Sequence, residues 1–170
     1  MTHAARIAAK LLLAAVFCLP VPAATIILVR HAERSGAMSA DPPLTSAGEE
    51  RAKVLAHVLK DSGIDRIYVT ELRRTQQTAE PVAARLHLKP IVVAAKDTDA
   101  LLTQLRELSD DQTVLVIGHS NTLPLIVDRL GGGSIPPMPE TEYDRLIVLV
   151  TSPSGGKAHV VTLRYGTATN

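Results

Sequence analysis

Short, uninterrupted apolar runs alternate along the chain with longer segments in which apolar residues recur every three or four positions. Thr25–Val29 and Thr113–Ile117 contain only apolar and β-branched residues, which is typical of strands buried on both faces of a sheet. Arg66–Val69 and Ile91–Ala94 are shorter runs of a similar kind. The pattern therefore predicts four strands in this part of the chain.

The segments that separate these strands have the periodicity of amphipathic helices. In residues 44–60, Leu55 and Leu59 lie one turn apart on an apolar face, and Thr45 or Ser46 can cap the first turn. The predicted helices span 44–60, 73–86, 98–108 and a fourth segment, which begins at a Ser120 or Asn121 cap and ends at the glycine triplet 131–133.

The last part of the chain has a different pattern. Ser134–Thr141 contains three prolines and is predicted to be a loop. Arg145–Thr151 and Ala158–Arg164 flank Ser152–Gly156 and predict a closing hairpin. Strands that alternate with helices favour a parallel sheet covered on both faces. The predicted fold is therefore α/β, a three-layer α/β/α sandwich with a mostly parallel central sheet and a C-terminal hairpin.

Residues 1–23 do not fit this pattern and predict a secretory signal peptide. Arg6 and Lys10 precede the apolar run Leu11–Leu19, and small residues near Ala23 suit cleavage there. The apolar run is shorter than the roughly 20 residues that a membrane span needs, so no membrane anchor is expected after cleavage. The prediction is a single catalytic domain over residues 24–170, located in the periplasm or secreted.

Composition excludes several classes of function. Lys and Arg total 18 against 17 for Asp and Glu, and aromatic residues make up 2% of the chain, so a nucleic-acid partner is not expected. The lone Cys18 excludes a disulfide framework and a cysteine-based zinc site.

Polar residues that can carry chemistry follow the predicted strands. Ligands of open α/β sheets bind beyond the carboxyl ends of the strands, where the loops that follow parallel strands meet. The residues that follow the four strands in turn are Arg30, His31 and Glu33; Arg73 and Arg74; Asp97 and Asp99; and His119, Ser120 and Asn121. Two histidines and two or three arginines are therefore expected at one edge of the sheet.

This set of side chains suits phosphoryl transfer without a metal or another cofactor. One guanidinium group can bind two phosphate oxygens at once, and it remains charged at any working pH. A neutral imidazole can attack phosphorus and form a phosphohistidine that water then hydrolyses. Nearby arginines lower the pKa of a histidine and keep it neutral near pH 7.

Four segments, in the same order, resemble motifs of the histidine phosphatase superfamily, which has the phosphoglycerate mutase-like fold. Arg30–Glu33 resembles its Arg-His-Gly motif, with Ala32 in place of the glycine. Leu44–Gly48 is similar to its Leu-Thr-x-x-Gly signature, and Leu72–Ala79 and Gly118–Asn121 resemble its second arginine and second histidine segments. The resemblance extends over nearly all of the predicted mature chain.

The resemblance implies a role for each matching residue. His31 would be the nucleophile, Arg30 and Arg74 would bind the phosphate, and His119 would donate a hydrogen bond to it. Larger members of the family place a glutamate general acid after the third strand. This chain has Asp97 there, as the first choice for the acid, and Asp99 as the second, unless a dedicated acid is absent.

The implied activity is that of a phosphomonoesterase of the histidine acid phosphatase type. The chain lacks the long insertion that closes the site in larger members, so the expected substrate is a phosphorylated small molecule, such as a sugar phosphate, or a phosphoprotein. Mutase activity is not the expected reaction. Glu33, Ser35 and Asn121 are candidate substrate contacts.

Two alternatives remain at this point. Gly118–Thr122 lies where a serine hydrolase carries its nucleophile, and Ser120 could be followed by Asp144 and His159 as the other members of a triad. The second alternative is a non-catalytic, phosphate-binding member of the same fold.

Overall fold

The computed structural model describes residues 23–36, 39–152 and 156–169. The predicted signal peptide lies outside these residues, except for Ala23 at its end. Among the described residues, no helix combines the length and the apolar character that crossing a bilayer requires.

A six-stranded mixed sheet forms the centre of the molecule, as predicted. Its strand order is β3-β2-β4-β1-β5-β6. The first four strands in this order are parallel to one another. Strand β5 runs antiparallel to β1, and β6 runs antiparallel to β5. The strands are β1 (Thr25–Arg30), β2 (Ile64–Val69), β3 (Ile91–Val92), β4 (Thr113–Gly118), β5 (Arg145–Val150) and β6 (His159–Arg164).

Helices cover both faces of this sheet and confirm the three-layer prediction. The helices are α1 (Ser46–Val58), α2 (Arg73–Leu86), α3 (Thr98–Arg106) and α4 (Leu123–Val127). Apolar residues of α1 and α2 pack on one face, against Ile27, Val29 and Leu115. Those of α3 and α4 pack on the other face, against Ile26 and Val114. Because side chains of β1 and β4 enter both cores, these strands are apolar at almost every position.

The start of α1 is fixed against the loop that follows β1. The Thr45 hydroxyl accepts a hydrogen bond from the Gly48 N–H at 3.1 Å, which confirms one of the two predicted caps. A Cβ at Gly48 would lie 2.2 Å from the carbonyl oxygen of Glu33, so only glycine allows this close approach. The loop after β1 is thereby held close to the helix.

The start of α4 differs from the prediction. Neither Ser120 nor Asn121 caps this helix, which begins at Leu123, because the chain first makes a turn in which the N–H groups of Thr122 and Leu123 bond to the His119 carbonyl. The helix continues as a π-helical turn over Asp128–Gly132. It ends in the glycine triplet, as predicted, where Gly131 and Gly133 adopt φ values of 84° and 73°.

Candidate active site

Two neighbouring parallel strands bring the two histidines of the site together. Arg30 ends β1 and Gly118 ends β4, and these two residues are register partners. The His31 N–H donates to the Gly118 carbonyl at 3.0 Å, which extends the pairing by one position. The imidazole rings of His31 and His119 lie 5.4 Å apart, measured between centroids, in an edge-on arrangement. Both rings can therefore face one small ligand.

The hydrogen bonding of His31 defines its tautomer. Its Nδ1 lies 2.8 Å from the carbonyl oxygen of Ala32, which can only accept a hydrogen bond. Nδ1 therefore carries the hydrogen, and Nε2 of the neutral ring carries the free lone pair. The backbone behind this ring is also fixed, since the Ala32 N–H donates to the Thr78 hydroxyl of α2 at 2.9 Å.

His31 stays neutral over most of the pH range. Burial is the main cause of a pKa lowered to about 3, and the positive charges of Arg30, His119 and Arg74 lower it further. The hydrogen bond to Ala32 acts in the opposite direction but does not outweigh them. A neutral Nε2 with a free lone pair has the properties of a nucleophile.

His119 has a similar electrostatic environment. Burial and the neighbouring Arg74 lower its pKa to about 4, although the carboxylate of Glu71 partly opposes this shift. Its Nε2 lies 3.3 Å from the Thr70 hydroxyl at the end of β2, and Thr70 in turn contacts the Thr75 hydroxyl at 2.9 Å. A residue that follows a third strand, β2, thus also helps to position the His119 ring.

Arg30 is only 1% exposed and is held by the proline-rich segment 136–142, which we call the proline strap. Its Nη1 donates to the carbonyl oxygens of Pro139, Glu140 and Glu142 at 2.8–3.1 Å, and its Nη2 donates to a Glu140 carboxylate oxygen at 2.8 Å. Its Nε is buried and makes no hydrogen bond with the described part of the chain. One N–H of the guanidinium thus remains available to an anion.

Arg74 is the second arginine of the site. It lies in the first turn of α2, with a largely buried side chain, whereas Arg73 beside it is exposed. Its nearest carboxylate is that of Asp41 at 3.9 Å, and its buried Nε has no hydrogen-bond partner among the residues the structure describes. Burial and the positive charges of Arg34 and Arg30 lower its pKa, so positive charge is concentrated here.

A second buried arginine fixes the other end of the proline strap. Arg145 donates to the carbonyl oxygens of Pro136 and Pro137 at 2.7 and 3.2 Å and forms an ion pair with Glu142. Arg30 and Arg145 therefore hold the proline strap from its two ends. Carbonyls in a proline-rich segment suit this role because proline disfavours helices and central strands, so these carbonyls are not used in helix or sheet pairing.

The proline strap and the residue after it add two side chains to the site that the sequence analysis missed. The Tyr143 ring lies 4.3 Å from the Arg30 guanidinium carbon and 6.1 Å from the His31 ring. The carboxylate of Glu140 accepts from Arg30 Nη2 and, at 2.6 Å, from the Ser120 hydroxyl. The signal was present in the sequence, because the start of an antiparallel strand lies at the same sheet edge as the ends of the parallel strands.

The structure brings together Arg30, His31, Arg74 and His119, and the other candidate residues have different surroundings. The Glu33 carboxylate is bound by the buried Arg51, with distances of 2.7–3.0 Å. Asp97 caps α3 through the Ala100 N–H at 3.0 Å, although it shares a small cavity with His119. Asp99 pairs with Arg129 at 3.1 Å, the Ser35 hydroxyl is buried without a partner among the described residues, and Asn121 is exposed.

The geometry excludes the serine triad. Ser120 follows the carboxyl end of β4, at the site edge of the sheet. His159 starts β6 and pairs with Val150, whose partner in β1 is Thr25, at the opposite edge. Asp144 is at the site edge, but its carboxylate is bound by Arg164 and Thr169. These three side chains therefore cannot act as one unit.

Fold and site together describe an α/β protein in which two histidines and two arginines lie at one edge of the sheet. Residues 26–96 match the model of the histidine phosphatase superfamily (branch 1). This part of the chain is therefore similar to that superfamily, which contains phosphatases and mutases.

Solved structures share the fold at low sequence identity. The protein histidine phosphatase SixA, solved in complex with tungstate, superposes with a TM-score of 0.65 and 22% identity over 82% of this chain and 96% of that one. The α-ribazole phosphatase from Shigella flexneri has a TM-score of 0.67 and 19% identity, with the same coverage of 82% and 96%.

Curated relatives match at higher identity but over shorter lengths. A protein named as a probable phosphoglycerate mutase, GpmB, of Enterobacter sp. (strain 638) is 41% identical over 105 residues, which are 58% of this chain and 43% of that protein. The uncharacterized phosphatase PhoE of Bacillus subtilis (strain 168) is 32% identical over 64% of this chain and 61% of its own length. The chain thus spans less than half the length of the GpmB relative.

Proposed function

We propose that the protein is a phosphomonoesterase that acts through a phosphohistidine on His31, without a metal. The observation that carries this proposal is the arrangement around the His31 ring. Its Nε2 has a free lone pair, and the two nearby guanidiniums of Arg30 and Arg74 each have a buried Nε–H without a partner among the described residues. A phosphoryl group between them would receive both donors while facing the nucleophile.

The reaction would proceed in two displacements. Nε2 of His31 attacks phosphorus in line, so that a P–N bond forms while the bond to the leaving-group oxygen breaks. Water then attacks the phosphohistidine, forming a P–O bond and releasing the imidazole and inorganic phosphate. Arg30 and Arg74 stabilise the charge on the equatorial oxygens in both steps, which is the main catalytic requirement of phosphoryl transfer. A bound dianion would also favour a proton on His119, which could then donate to it.

Hydrolysis rather than mutase chemistry is proposed because the site is accessible to water. The Glu140 side chain at its rim is 74% exposed, and Ser120 and Asn121 at the end of β4 are also accessible. A mutase must protect its phosphoenzyme from water until the second substrate hydroxyl arrives. The proposed substrates are phosphorylated small molecules, such as sugar phosphates, or phosphoproteins. A SixA structure, which shares this fold, was solved in complex with tungstate, a tetrahedral oxyanion, and this supports an oxyanion as the ligand proposed here.

Export stays part of the proposal. The predicted signal peptide over residues 1–23 would place the protein in the periplasm or outside the cell. N-terminal sequencing of the protein recovered from a periplasmic extract would test this, and an N-terminus at residue 24 is expected. Recovery from the cytoplasm with Met1 or Thr2 at the N-terminus would contradict export.

A phosphatase assay with 4-nitrophenyl phosphate in the presence of a chelator tests the reaction. The wild type should retain its activity with the chelator, and His31→Ala should lose it. His57→Ala is the matched control, since His57 is an exposed residue of α1. After an acid-free quench with ³²P-labelled substrate, label that is stable in base and labile in acid should appear on the wild type and His57→Ala but not on His31→Ala. Activity lost to the chelator, or unchanged in His31→Ala, would overturn the proposal. Phosphate binding without turnover would instead identify a non-catalytic member of the family.

A further inference from the structure

Several carboxylates lie near the site, and all but one accept their hydrogen bonds from groups that a substrate phosphate would not touch. Backbone N–H groups or a buried arginine outside the site bind them, and these contacts would persist with substrate present. The carboxylates and their donors are Glu33 with Arg51, Asp41 with the Arg73 N–H, Glu71 with the Ala95 N–H, and Asp97 with the Ala100 N–H.

Glu140 is the exception, because it accepts a hydrogen bond from Arg30, one of the proposed phosphate-binding groups. Asp41 lies 3.9 Å from Arg74 but accepts its hydrogen bonds from the Arg73 N–H. One carboxylate oxygen accepts from Arg30 Nη2 at 2.8 Å, and the other accepts from the Ser120 hydroxyl at 2.6 Å. The side chain is 74% exposed and can move, whereas its backbone is fixed because its carbonyl accepts from Arg30 Nη1. Glu140 therefore stays within reach of the site after its carboxylate leaves Arg30.

Substrate binding would reverse the charge around this carboxylate. In the free protein, the hydrogen bond from Ser120 and the charge of Arg30 hold the pKa of Glu140 below its usual value, against the effect of partial burial. When a phosphoryl group binds the Arg30 guanidinium, the Glu140 carboxylate loses its ion pair with Arg30. It then lies beside the negative charge of the phosphoryl group. A carboxylate beside an anion binds a proton more readily. The group therefore becomes a better acid–base catalyst only when the substrate is in place.

We propose that Glu140 is the proton donor to the leaving group, and that the substrate phosphate displaces it from Arg30 and so promotes its protonation. This inference rests on the proposed function. In the first displacement, the ester P–O bond breaks as the P–N bond to His31 forms, and the Glu140 proton passes to the departing oxygen to give an alcohol. In the second, the Glu140 carboxylate takes a proton from the attacking water, and the P–N bond breaks as the new P–O bond forms.

The test compares leaving groups that differ in their need for a proton. 4-Nitrophenolate leaves without protonation, whereas the alkoxide of an alkyl phosphate such as ethyl phosphate does not. Glu140→Gln keeps the size of the side chain and its hydrogen bond with Ser120 but has no acidic proton. We expect kcat/KM for ethyl phosphate to fall by about 100-fold or more, as for removal of a general acid, while that for 4-nitrophenyl phosphate changes by no more than about threefold.

Three further variants show whether the effect belongs to Glu140. Glu80→Gln, at an exposed position of α2, is the matched control for the substitution itself. Glu71→Gln and Asp97→Asn test two other carboxylates near His119. Each of these three should keep the wild-type ratio of activities on the two esters. A selective loss on ethyl phosphate in Glu71→Gln or Asp97→Asn, with Glu140→Gln unaffected, would overturn the assignment.

The pH profile separates proton donation from positioning. For ethyl phosphate, kcat/KM of the wild type should fall at high pH as the donor loses its proton, and Glu140→Gln should lack this fall. Equal losses on both esters in Glu140→Gln would overturn the inference, since they would indicate a positioning role.

If His31→Ala keeps full activity on 4-nitrophenyl phosphate, the proposed function itself fails. If His31→Ala is inactive but Glu140→Gln cleaves both esters like the wild type, only the role of Glu140 fails.

Discussion

Arg30 and Arg51 are two of the buried arginines that pair with a glutamate, and their pairs differ in how completely the guanidinium is bound. Arg51 donates from Nε, Nη1 and Nη2, to both carboxylate oxygens of Glu33 and to the carbonyls of Tyr165 and Thr167. Arg30 donates from its two terminal nitrogens alone, and its Nε is buried without a partner among the described residues.

The two glutamate partners, Glu33 and Glu140, also differ in how far their side chains are exposed to solvent. The Glu33 side chain is 19% exposed, whereas that of Glu140 is 74% exposed. A saturated, buried pair fixes two parts of the chain to each other, here the loop after β1 and the C-terminal tail. An unsaturated pair with a solvated partner can exchange that partner for a ligand. Completeness of hydrogen bonding thus distinguishes a structural arginine from a candidate binding arginine, although both are buried and charged.

The largest expected effect comes from replacing each arginine by lysine. Arg30→Lys keeps the charge but removes the fork that would bind two phosphate oxygens, so kcat should fall by about 10²–10³-fold. Arg51→Lys should leave kcat/KM of the folded protein within about threefold and lower the free energy of unfolding by about 3 kcal/mol. Steady-state kinetics with 4-nitrophenyl phosphate and urea denaturation measure the two quantities. Similar activities for the two variants would remove the distinction drawn between the arginines.

The glutamates should show a contrast in stability. Glu33→Gln leaves the buried Arg51 without its counter-charge and should lower the free energy of unfolding by about 3 kcal/mol. Glu140→Gln should change it by less than about 1 kcal/mol, because the carboxylate is mostly exposed and its ion pair is screened by solvent. Urea denaturation at pH 7 provides the comparison. A loss in Glu140→Gln as large as that in Glu33→Gln would mean that Glu140 fixes the proline strap rather than exchanging partners.

The histidines of the site should make stability depend on pH. The folded protein holds the pKa of His31 at about 3 and that of His119 at about 4, below the ordinary value of 6.5. Below pH 6.5 the unfolded chain therefore binds protons that the folded chain does not, and stability falls as pH falls. Between pH 7 and pH 5 this should cost about 2 kcal/mol for each histidine.

Urea denaturation of His31→Asn at both pH values isolates this contribution. The variant should lose about 2 kcal/mol less than the wild type on going from pH 7 to pH 5. His57→Asn, at an exposed position, should behave like the wild type. If the free energy of unfolding falls by the same amount between pH 7 and pH 5 in His31→Asn as in the wild type, His31 is not buried and neutral in the folded protein.

The smallest expected effect concerns the aromatic ring beside Arg30. Tyr143→Leu removes the π face that lies 4.3 Å from the guanidinium carbon, whereas Tyr143→Phe keeps it. A cation–π contact of this kind contributes about 1 kcal/mol, so the inhibition constant of inorganic phosphate should rise about fivefold in the leucine variant. The phenylalanine variant should match the wild type. Equal effects in both variants would assign the contribution to the Tyr143 hydroxyl.

The parallel part of the fold could be predicted from the sequence because it depends on local patterns. The apolar runs of β1 and β4 require burial on both faces, and the residues after them, such as His31 and His119, must then lie at one edge. The choice of Arg74 as a site residue came from the family resemblance, and the structure places its side chain near the two imidazoles. The catalytic roles of these residues stay predictions.

The proline strap could not be predicted in the same way. Its conformation depends on carbonyl contacts with Arg30 and Arg145, and Arg30 lies more than a hundred positions away along the chain. The sequence pattern therefore singles out neither Tyr143 nor Glu140. The cap expected at Ser120 or Asn121 was wrong because one additional turn follows β4, and the Ser120 hydroxyl bonds to Glu140 instead.

The three carbonyls that accept from Arg30 Nη1 all belong to the proline strap, near the C-terminal end of the chain. During synthesis, Arg30 and the other three motif residues leave the ribosome well before these acceptors. A nascent chain that ends before residue 136 therefore contains every residue of the four motifs, but its Arg30 has nothing to orient it. The proposed phosphatase would therefore gain its activity only after the proline strap has been synthesised, and shorter chains would not hydrolyse phosphate esters.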